Sequence, residues 1–415
     1  MNTERLALIA VTLALLVGGA AALFAPTVVT GPGGAPAHAA PTTASTAGGD
    51  LASLFGLALW GTTVLFGATA VLWVVLTYVI GAGYETPENE YGADDVQVRI
   101  MTVDAAAVVQ ETVDSLPDGL EDVHVIAEEA IDVAGAHVHV VPEDFECHAV
   151  RKGRAQEWAR RTLDCEKEFV LYLDEDSVVE HFDGLPDADV VQLREKPRRT
   201  GSSLSFLADV YRMGVQLEQR AFARLSIPLF AWGGGIAVRS DLEDAVTWDR
   251  ETLVEDTAFV WAAFREYDAD FVLADAVCRN EAPPSLYEIL QQRRRWAAGN
   301  LRASKMLPLR YQILTRVRNY AWALSPIVTL LVIPLSLVGI SIAYGGLFTL
   351  ASLGLALFTA FWFLRGVAYY GDRHLGLALA LPLAPLVTVV HSMGTVAGIL
   401  SPPENFRVTE KVGPK

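Results

Sequence analysis

Two aspartates that directly follow an apolar run have the spacing of a metal site. Residues 169–173 read FVLYL and are followed by Asp174, Glu175 and Asp176. Alternate residues of an extended chain point to the same side, so Asp174 and Asp176 can address one ligand. Carboxylate oxygens are the donors that Mg²⁺ or Mn²⁺ prefers, and a bound diphosphate would complete the octahedral shell. The triplet therefore predicts a metal-assisted diphosphate site, with an acidic surface loop as the alternative.

A second acidic pair begins a predicted helix. Glu255 and Asp256 follow an apolar segment that contains three consecutive glycines, and they head a helical pattern over residues 257–267. A carboxylate in this place can act as general base toward an acceptor hydroxyl. Alternatively, the two acids only complement the positive end of the helix dipole.

Three consecutive arginines stand between a glutamine and a tryptophan. The run is Gln292, Arg293, Arg294, Arg295 and Trp296, in a chain with 32 basic and 49 acidic residues. One guanidinium can neutralise a leaving diphosphate while the indole shapes an acceptor pocket. The alternative is that the arginines meet lipid head groups ahead of a membrane span.

The composition separates charge from apolar sequence. The formal net charge is −17, yet 52% of the residues are hydrophobic, and the charged residues concentrate between positions 85 and 320. This predicts a membrane protein with one acidic soluble domain. No basic stripe is present, which argues against nucleic acid as a partner. The acidic, lysine-poor composition is typical of a high-salt cytoplasm, and three cysteines without CxxC spacing indicate reduced thiols.

The soluble block alternates predicted strands and helices. Strands are expected at residues 96–103, 123–127, 138–141 and 169–173, with helices at 105–115 and 149–163. Such alternation predicts an α/β domain with a mostly parallel sheet. Ligands of such domains bind beyond the carboxyl ends of the strands.

Apolar stretches flank this domain. Residues 6–24 and 54–80 predict two spans joined by an external loop over 26–50, although the first could be a cleaved signal peptide. Residues 321–344 and 347–364 predict two more spans. Arginines at 310, 316 and 318 place the domain in the cytoplasm. We therefore expect two helices in 1–84, a cytoplasmic domain in 85–319, transmembrane or interfacial helices in 320–400, and a cytoplasmic tail in 401–415.

The motifs in this order resemble a protein family. Asp174 to Asp176, the Glu255–Asp256 pair and the run from Gln292 to Trp296 resemble the DxD, ED and QxxRW pattern of membrane-embedded family 2 glycosyltransferases, such as cellulose and hyaluronan synthases. Egghead-type β-1,4-mannosyltransferases are more similar still, at residues 152–155 (KGRA), 230–233 (FAWG), 254–256 (VED) and 290–296 (LQQRRRW). The resemblance runs from about residue 96 to the end of the chain. It implies a GT-A-type, Rossmann-like cytoplasmic domain inserted between transmembrane helices.

The resemblance also implies roles for single residues. Thr102, Glu128 and Lys152 would bind the nucleotide and its phosphates. The family usually has Asp at the position that corresponds to Glu128, so Glu129 is the alternative for this role. The remaining roles are as follows: Asp174 and Asp176 at the donor and its Mg²⁺ or Mn²⁺, Asp256 as general base, Glu255 on the acceptor side, and Gln292, Arg295 and Trp296 at the diphosphate and acceptor.

The tail resembles a further segment of the cellulose synthases. Residues 406–411 (FRVTEK) are similar to their FxVTxK gating segment, which implies that Phe406, Thr409 and Lys411 cover the nucleotide. The alternative is a disordered, slightly basic tail. A cytoplasmic tail needs an even number of crossings after the domain. We therefore expect residues 374–400, divided by Pro382 and Pro385 into two short pieces, to be interfacial or re-entrant, which leaves four crossings.

Taken with the resemblance, these residues predict an inverting transferase. It would move a hexose from GDP-mannose or a UDP-sugar to a lipid-linked or glycan acceptor at the bilayer and form a β-glycoside. A processive polysaccharide synthase is the alternative enzyme. A non-catalytic membrane scaffold with the same fold is the alternative from another class. The composition and the resemblance together suggest a halophilic archaeon as the source.

Overall fold

The computed structural model describes residues 46–330, 344–371, 374–403, 409 and 411–413. Its helices, in chain order, are α1 (Thr46–Val75), α2 (Ala106–Asp114), α3 (Lys152–Thr162), α4 (Ser203–Gln216), α5 (Ser240–Val246), α6 (Glu255–Glu266), α7 (Leu286–Ala303), α8 (Leu309–Leu330), α9 (Gly345–Tyr370), α10 (His374–Ala378) and α11 (Ala384–Leu400). Helix α1 continues into a π-helical segment, Leu76–Ile80. Shorter 3₁₀ segments cover Leu217–Arg224, Ser304–Met306 and Leu381–Leu383.

Eight strands form the main sheet in the order β4-β3-β2-β5-β9-β8-β10-β6. The strands are β1 (Asn89–Tyr91), β2 (Val96–Thr102), β3 (Val123–Ala127), β4 (His137–Val140), β5 (Phe169–Asp174), β6 (Val178–His181), β7 (Leu185–Pro186), β8 (Val190–Arg198), β9 (Ile236–Arg239) and β10 (Phe271–Glu281). Strands β1 and β7 pair separately as a two-stranded sheet.

The first half of the sheet is parallel, as predicted. Strand β2 pairs in parallel with β3 and β5, and β3 pairs in parallel with β4. All seven residues of β2 are buried, because helices cover both faces of the sheet. One face packs against Val109 and Val113 of α2, and the other against Ala155 of α3 and Phe259 of α6. The predicted α/β, Rossmann-like fold is confirmed.

The second half of the sheet was not predicted. Strand β9 runs antiparallel between β5 and β8, β10 lies parallel to β8, and β6 closes the edge antiparallel to β10. Strand β8 reads VVQLREKPR, and its charged residue Glu195 is nevertheless buried. Such a sequence lacks the continuous apolar run that marks a buried strand.

Three helices of the described part of the chain are long and apolar enough to cross a membrane: Leu54–Ile80, Gly345–Tyr370 and Leu381–Leu400. Helix α1 already begins at Thr46, so residues 46–50 do not belong to the predicted loop. No proline stands in these five residues to block a helical backbone. The predicted span at 6–24 lies outside the described residues, as does 331–343 of the span at 321–344.

The expected division of residues 374–400 into two short pieces is wrong for the second piece. Helix α10 has 5 residues, but α11 has 17. Pro382 lies in the 3₁₀ turn between them, and Pro385 is the second residue of α11, where a proline needs no hydrogen-bond partner for its nitrogen. The prolines therefore start a full helix.

Helix α4 joins the sheet domain to the apolar helices. Gly214 of α4 lies against the backbone of Trp362 in α9, and Gly366 of α9 lies against the backbone of Val210 in α4. A Cβ atom at either glycine would overlap a carbonyl oxygen of the other helix. The two helices therefore touch backbone to backbone.

Candidate active site

One cavity of about 630 Å³ brings the predicted site residues together. They come from the carboxyl ends of β2, β3 and β5, the first turns of α3 and α6, one face of α7, and the tail. Its lining includes Thr102, Glu128, Glu129, Lys152, Asp174, Asp176, Glu255, Asp256, Gln292, Arg295, Trp296, Thr409 and Lys411. Phe406 lies outside the described residues.

Asp174 and Asp176 both line this cavity, each held by a lysine. Asp174 ends β5, and its Oδ1 accepts a hydrogen bond of 2.7 Å from Lys152 Nζ. Asp176 is fully buried, and its Oδ2 lies 2.6 Å from Lys411 Nζ and 2.7 Å from the backbone nitrogen of Glu281. Burial alone would raise the pKa of Asp174, but Lys152 and Lys411 outweigh it and lower that pKa. Asp174 is therefore an anion at neutral pH.

The two aspartates fit a divalent cation only in part. Asp176 Oδ1 is buried and has no hydrogen-bond partner among the described residues, as expected for an oxygen that awaits a ligand. No group of three His, Cys, Asp or Glu side chains in the described part of the chain is arranged to hold a metal ion. A cation at Asp174 and Asp176 would thus need oxygens from a bound substrate or water.

Lys152 is the electrostatic centre of the site. It opens α3, and its Nζ lies 2.7 Å from Asp174, 3.7 Å from Glu255, 3.6 Å from Asp256 and 3.3 Å from the carbonyl oxygen of Gly233. Burial disfavours the ammonium, but Asp174, Asp256 and Glu255 outweigh burial and raise the pKa of Lys152. Lys152 therefore stays charged and pulls three carboxylates toward one point.

Asp256 has the protonation behaviour of a base. It is the second residue of α6, and burial, with smaller contributions from Glu255 and Asp174, raises its pKa to about 7 despite the nearby Lys152. Its Oδ1 makes no hydrogen bond among the described residues. A Cβ atom at Gly233 would overlap this carboxylate, so a glycine is needed beside it. A carboxylate with a pKa near the working pH is suited to accept a proton.

Helix α7 presents the glutamine, arginine and tryptophan to the cavity. Ser285 caps its first turn by accepting a hydrogen bond from the backbone nitrogen of Glu288. Gln292, Arg295 and Trp296 then lie on the face that lines the cavity. Burial lowers the pKa of Arg295, and the nearby Glu255, Asp174 and Asp256 oppose that shift. A guanidinium therefore stands close to the buried carboxylates.

Thr102, Glu128 and Glu129 lie at the carboxyl ends of β2 and β3. The hydroxyl of Thr102 donates to Glu175 Oε2 at 2.6 Å, so the middle acid of the triplet turns toward β2. Glu128 accepts a hydrogen bond of 3.0 Å from Arg154. Both Glu128 and Glu129 line the cavity, so either can meet a ligand there.

The tail enters the cavity at Asp176. Beyond the ion pair of Lys411, the backbone nitrogens of Val412 and Gly413 donate to the carboxylate of Glu281 at 2.8 and 3.0 Å. Asp176 raises the pKa of Lys411 against the effect of burial. The tail therefore brings a permanent positive charge to the end of the cavity where a diphosphate is expected.

Residues 169–364 match the family model for glycosyl transferase family group 2. This segment is a glycosyltransferase family 2 domain. The matched segment begins at β5 and ends within α9, so it contains the acidic triplet, Asp256 and the run from Gln292 to Trp296 on α7, called the α7 motif below. Thr102, Glu128, Lys152 and Lys411 lie outside the matched segment, and the fold brings them to the same cavity.

The chain is similar to curated β-1,4-mannosyltransferases. It is 30% identical over 138 residues to egh of Drosophila melanogaster, covering 30% of this chain and 29% of the relative. It is 28% identical over 136 residues to bre-3 of Caenorhabditis elegans, covering 31% and 30%. The aligned part thus spans under a third of the length of these relatives. The predicted homology to egghead-type proteins is confirmed.

The fold was also compared with solved structures. Glucosyl-3-phosphoglycerate synthase from Mycobacterium tuberculosis matches with a TM-score of 0.33 and 15% sequence identity. The match covers 53% of this chain and 82% of the synthase.

Several residues that line the cavity were not predicted from the sequence. Glu281 ends β10 and holds the tail, and Asn300 follows Trp296 by one helical turn, with a buried Oδ1 that has no hydrogen-bond partner among the described residues. Trp73 of α1 and Trp322 of α8 also line the cavity. Glu281 could have been found as a strand-end carboxylate had β10 been predicted. The two tryptophans looked like ordinary residues of membrane spans.

Proposed function

We propose that this chain is an inverting membrane glycosyltransferase that moves a hexose from GDP-mannose or a UDP-sugar to a lipid-linked or glycan acceptor. The observation that supports this most is one shared cavity. It holds Asp256, whose pKa is about 7, beside Lys152 and Arg295, which can meet a diphosphate. A base and cations for a leaving diphosphate are the two requirements of such a transfer.

The reaction is a single displacement at the anomeric carbon. Asp256 takes the proton of an acceptor hydroxyl while that oxygen attacks the anomeric carbon from the face opposite the nucleotide. The bond from this carbon to the diphosphate oxygen breaks, and the diphosphate leaves with the electron pair. Lys152 and Arg295 offset its charge, and Lys411 contributes to binding the donor. One displacement inverts the centre, so an α-linked donor gives a β-glycoside.

The proposal includes a divalent cation at the donor end of the cavity, completed by oxygens of the substrate or water. Asp174 and Asp176 would hold Mg²⁺ or Mn²⁺, with Asp176 Oδ1 as the oxygen that lacks a partner among the described residues. When bound, the cation would supply positive charge at the diphosphate.

We further propose that the chain crosses the membrane several times with its domain in the cytoplasm. The apolar helices Leu54–Ile80 and Gly345–Tyr370 support this by length and composition. Lys411 contacts Asp176, so the tail and the domain lie on one side of any bilayer. An even number of crossings between them follows, with Leu381–Leu400 at the interface in our proposal.

A processive synthase is the second candidate, and the tail favours it. Lys411 reaches the cavity in the way that a segment covering the nucleotide would. Product length separates the two candidates, because a single transfer adds one sugar and a processive enzyme produces a ladder.

A donor screen on the purified chain in detergent and high salt tests the proposal. GDP-mannose and UDP-sugars are each offered with Mn²⁺, Mg²⁺ or EDTA, and nucleotide release and product size are followed. Metal-dependent GDP release with one added sugar supports the mannosyl transfer. UDP release with a ladder supports the synthase. No release and no metal-dependent nucleotide binding from any donor would contradict both.

A further inference from the structure

Arg293 is a residue of the α7 motif to which the proposed reaction gives no role. It stands directly after Gln292 and one helical turn before Trp296. Its side chain is only 4% exposed, so it meets neither lipid head groups nor solvent. A guanidinium buried to this extent must be paired and hydrogen-bonded.

The Arg293 side chain donates hydrogen bonds to three other side chains. Its Nε donates to His391 Nδ1 on α11 at 3.1 Å, and His391 in turn donates from Nε2 to the carbonyl oxygen of Ala208 at 2.8 Å. Its NH2 group donates to Asp209 on α4. Its NH1 group donates to the side-chain oxygen of Gln292. Three helices are therefore tied together at one guanidinium.

The same guanidinium lies over the indole of Trp296. The Cζ atom of Arg293 is 4.1 Å from the ring centroid, and that of Arg212 on α4 is 5.3 Å away. Arg212 is anchored to Asp209 at 3.0 Å and to Glu195 of β8 at 2.6 Å. Each cation–π contact favours one placement of the ring.

We propose that Arg293, anchored by Asp209, is a positioning residue that fixes the two motif side chains on either side of it in the chain. It sets the orientation of the Gln292 amide, because the amide oxygen accepts from Arg293 and the amide NH2 group is left to donate into the cavity. It also sets the tilt of Trp296. Neither effect requires Arg293 to touch a substrate. The inference rests on the proposed function, since it concerns the geometry of that transfer.

The charge balance supports a geometric role. Arg212 and Arg293 face Asp209 and Glu195, so the network is neutral and adds little net field at the reacting atoms. Its buried polar atoms are arranged in paired hydrogen bonds, which rigidify a site. A misplacement of about 1 Å in such a site can lower the rate by about 100-fold.

The test is a double-mutant cycle in transfer rate. Arg293→Met keeps an unbranched, flexible side chain and removes the guanidinium. The charge-balanced Arg293→Met/Asp209→Asn covers the case in which the single variant folds poorly. Either should lower kcat/KM by about 10- to 100-fold in wild-type background. In a Trp296→Ala background the same change should cost less, because one of the two side chains that Arg293 orients is already absent and only Gln292 remains. Arg294→Met is the matched control, since Arg294 bonds to Ser401 instead.

A second readout does not depend on activity. The fluorescence difference between each protein and its Trp296→Phe counterpart isolates this indole, and Arg293→Met should change that difference spectrum while Arg294→Met should not. Rate losses that multiply fully in the Trp296→Ala background, or an unchanged difference spectrum, would overturn the inference. A wild-type protein with no transfer would contradict the proposed function alone, and the spectrum would still decide the role of Arg293.

Discussion

Two groups of buried charges lie along the same cavity, and they are balanced differently. Around Lys152, three carboxylates gather at one ammonium: Asp174, Glu255 and Asp256. Asp256 keeps an oxygen without a hydrogen bond among the described residues, and its pKa is raised. Negative charge is therefore in excess here.

Around Arg293 the charges cancel. Two arginines face two acids, and the polar atoms of Arg293 and Arg212 are bonded on several sides. The comparison separates two uses of buried charge. An excess of carboxylate lowers stability and is kept where a divalent cation is proposed to bind, whereas a balanced network holds side chains in place. Substitutions in the two groups should therefore have opposite effects on stability.

The largest expected effect on rate is that of Asp256→Asn. It should lower transfer by about 1000-fold, because the amide cannot accept the proton, while donor binding persists. It should also raise the unfolding temperature at pH 8, since it removes a charge that burial disfavours. Turnover and thermal unfolding in detergent check both. Asp244→Asn, a surface acid paired with Arg160, is the control, and near-normal turnover of Asp256→Asn would refute the base assignment.

The largest expected effect on stability is that of Asp209→Asn. Removing one partner of a buried pair leaves a charge uncompensated, so the free energy of unfolding should fall by about 3–5 kcal/mol. Glu255→Gln should change it far less, because Lys152 keeps Asp174 and Asp256 as partners. Chemical unfolding of both variants provides the measurement. Equal losses in the two would mean that the two groups do not differ as described.

The pH dependence should run in opposite directions for rate and stability. Asp256 must be deprotonated to act, so the rate should rise through pH 7 and be about tenfold lower at pH 6 than on the plateau. Its pKa is higher in the folded than in the unfolded chain, so the folded state holds the proton more tightly. The contribution of Asp256 to stability is therefore lost as pH rises from about 4 to about 7. Unfolding profiles of the wild-type protein and Asp256→Asn that keep a constant difference between pH 4 and pH 7 would contradict this.

The smallest effect is expected for Lys411→Met. It should raise the KM of the donor by about fivefold, the loss of one partly compensated charge contact of about 1 kcal/mol, with little change in kcat. Steady-state kinetics with varied donor measure it. Lys305→Met on the short 3₁₀ segment after α7 is the control. An unchanged KM would show that the tail does not contact the donor.

The half of the fold that could be predicted is the half with continuous apolar strands. Strand β5 is buried over its first five residues, and its uninterrupted apolar sequence predicts this burial. Strand β8 carries buried charge, and β9 is only four residues long. Their place in the sheet depends on partners far away in the chain, which no local pattern reveals.

The same limit applies to the site. Asp174, Asp256 and Trp296 were found because each stands in a short motif. Asp209 and Arg212 were not, since charged residues on an amphipathic helix usually face water. Only the packing of α4 against α7 and α11 turns them inward.

The contact between Gly214 and Gly366 has a consequence for where a membrane-anchored acceptor must place its hydroxyl. Because α4 and α9 touch backbone to backbone, nothing between them can be compressed or inserted, and α4 also carries Asp209. The distance between the cavity and the apolar part of α9 is therefore fixed. An acceptor anchored in a bilayer would have to present its hydroxyl at that fixed distance from α9.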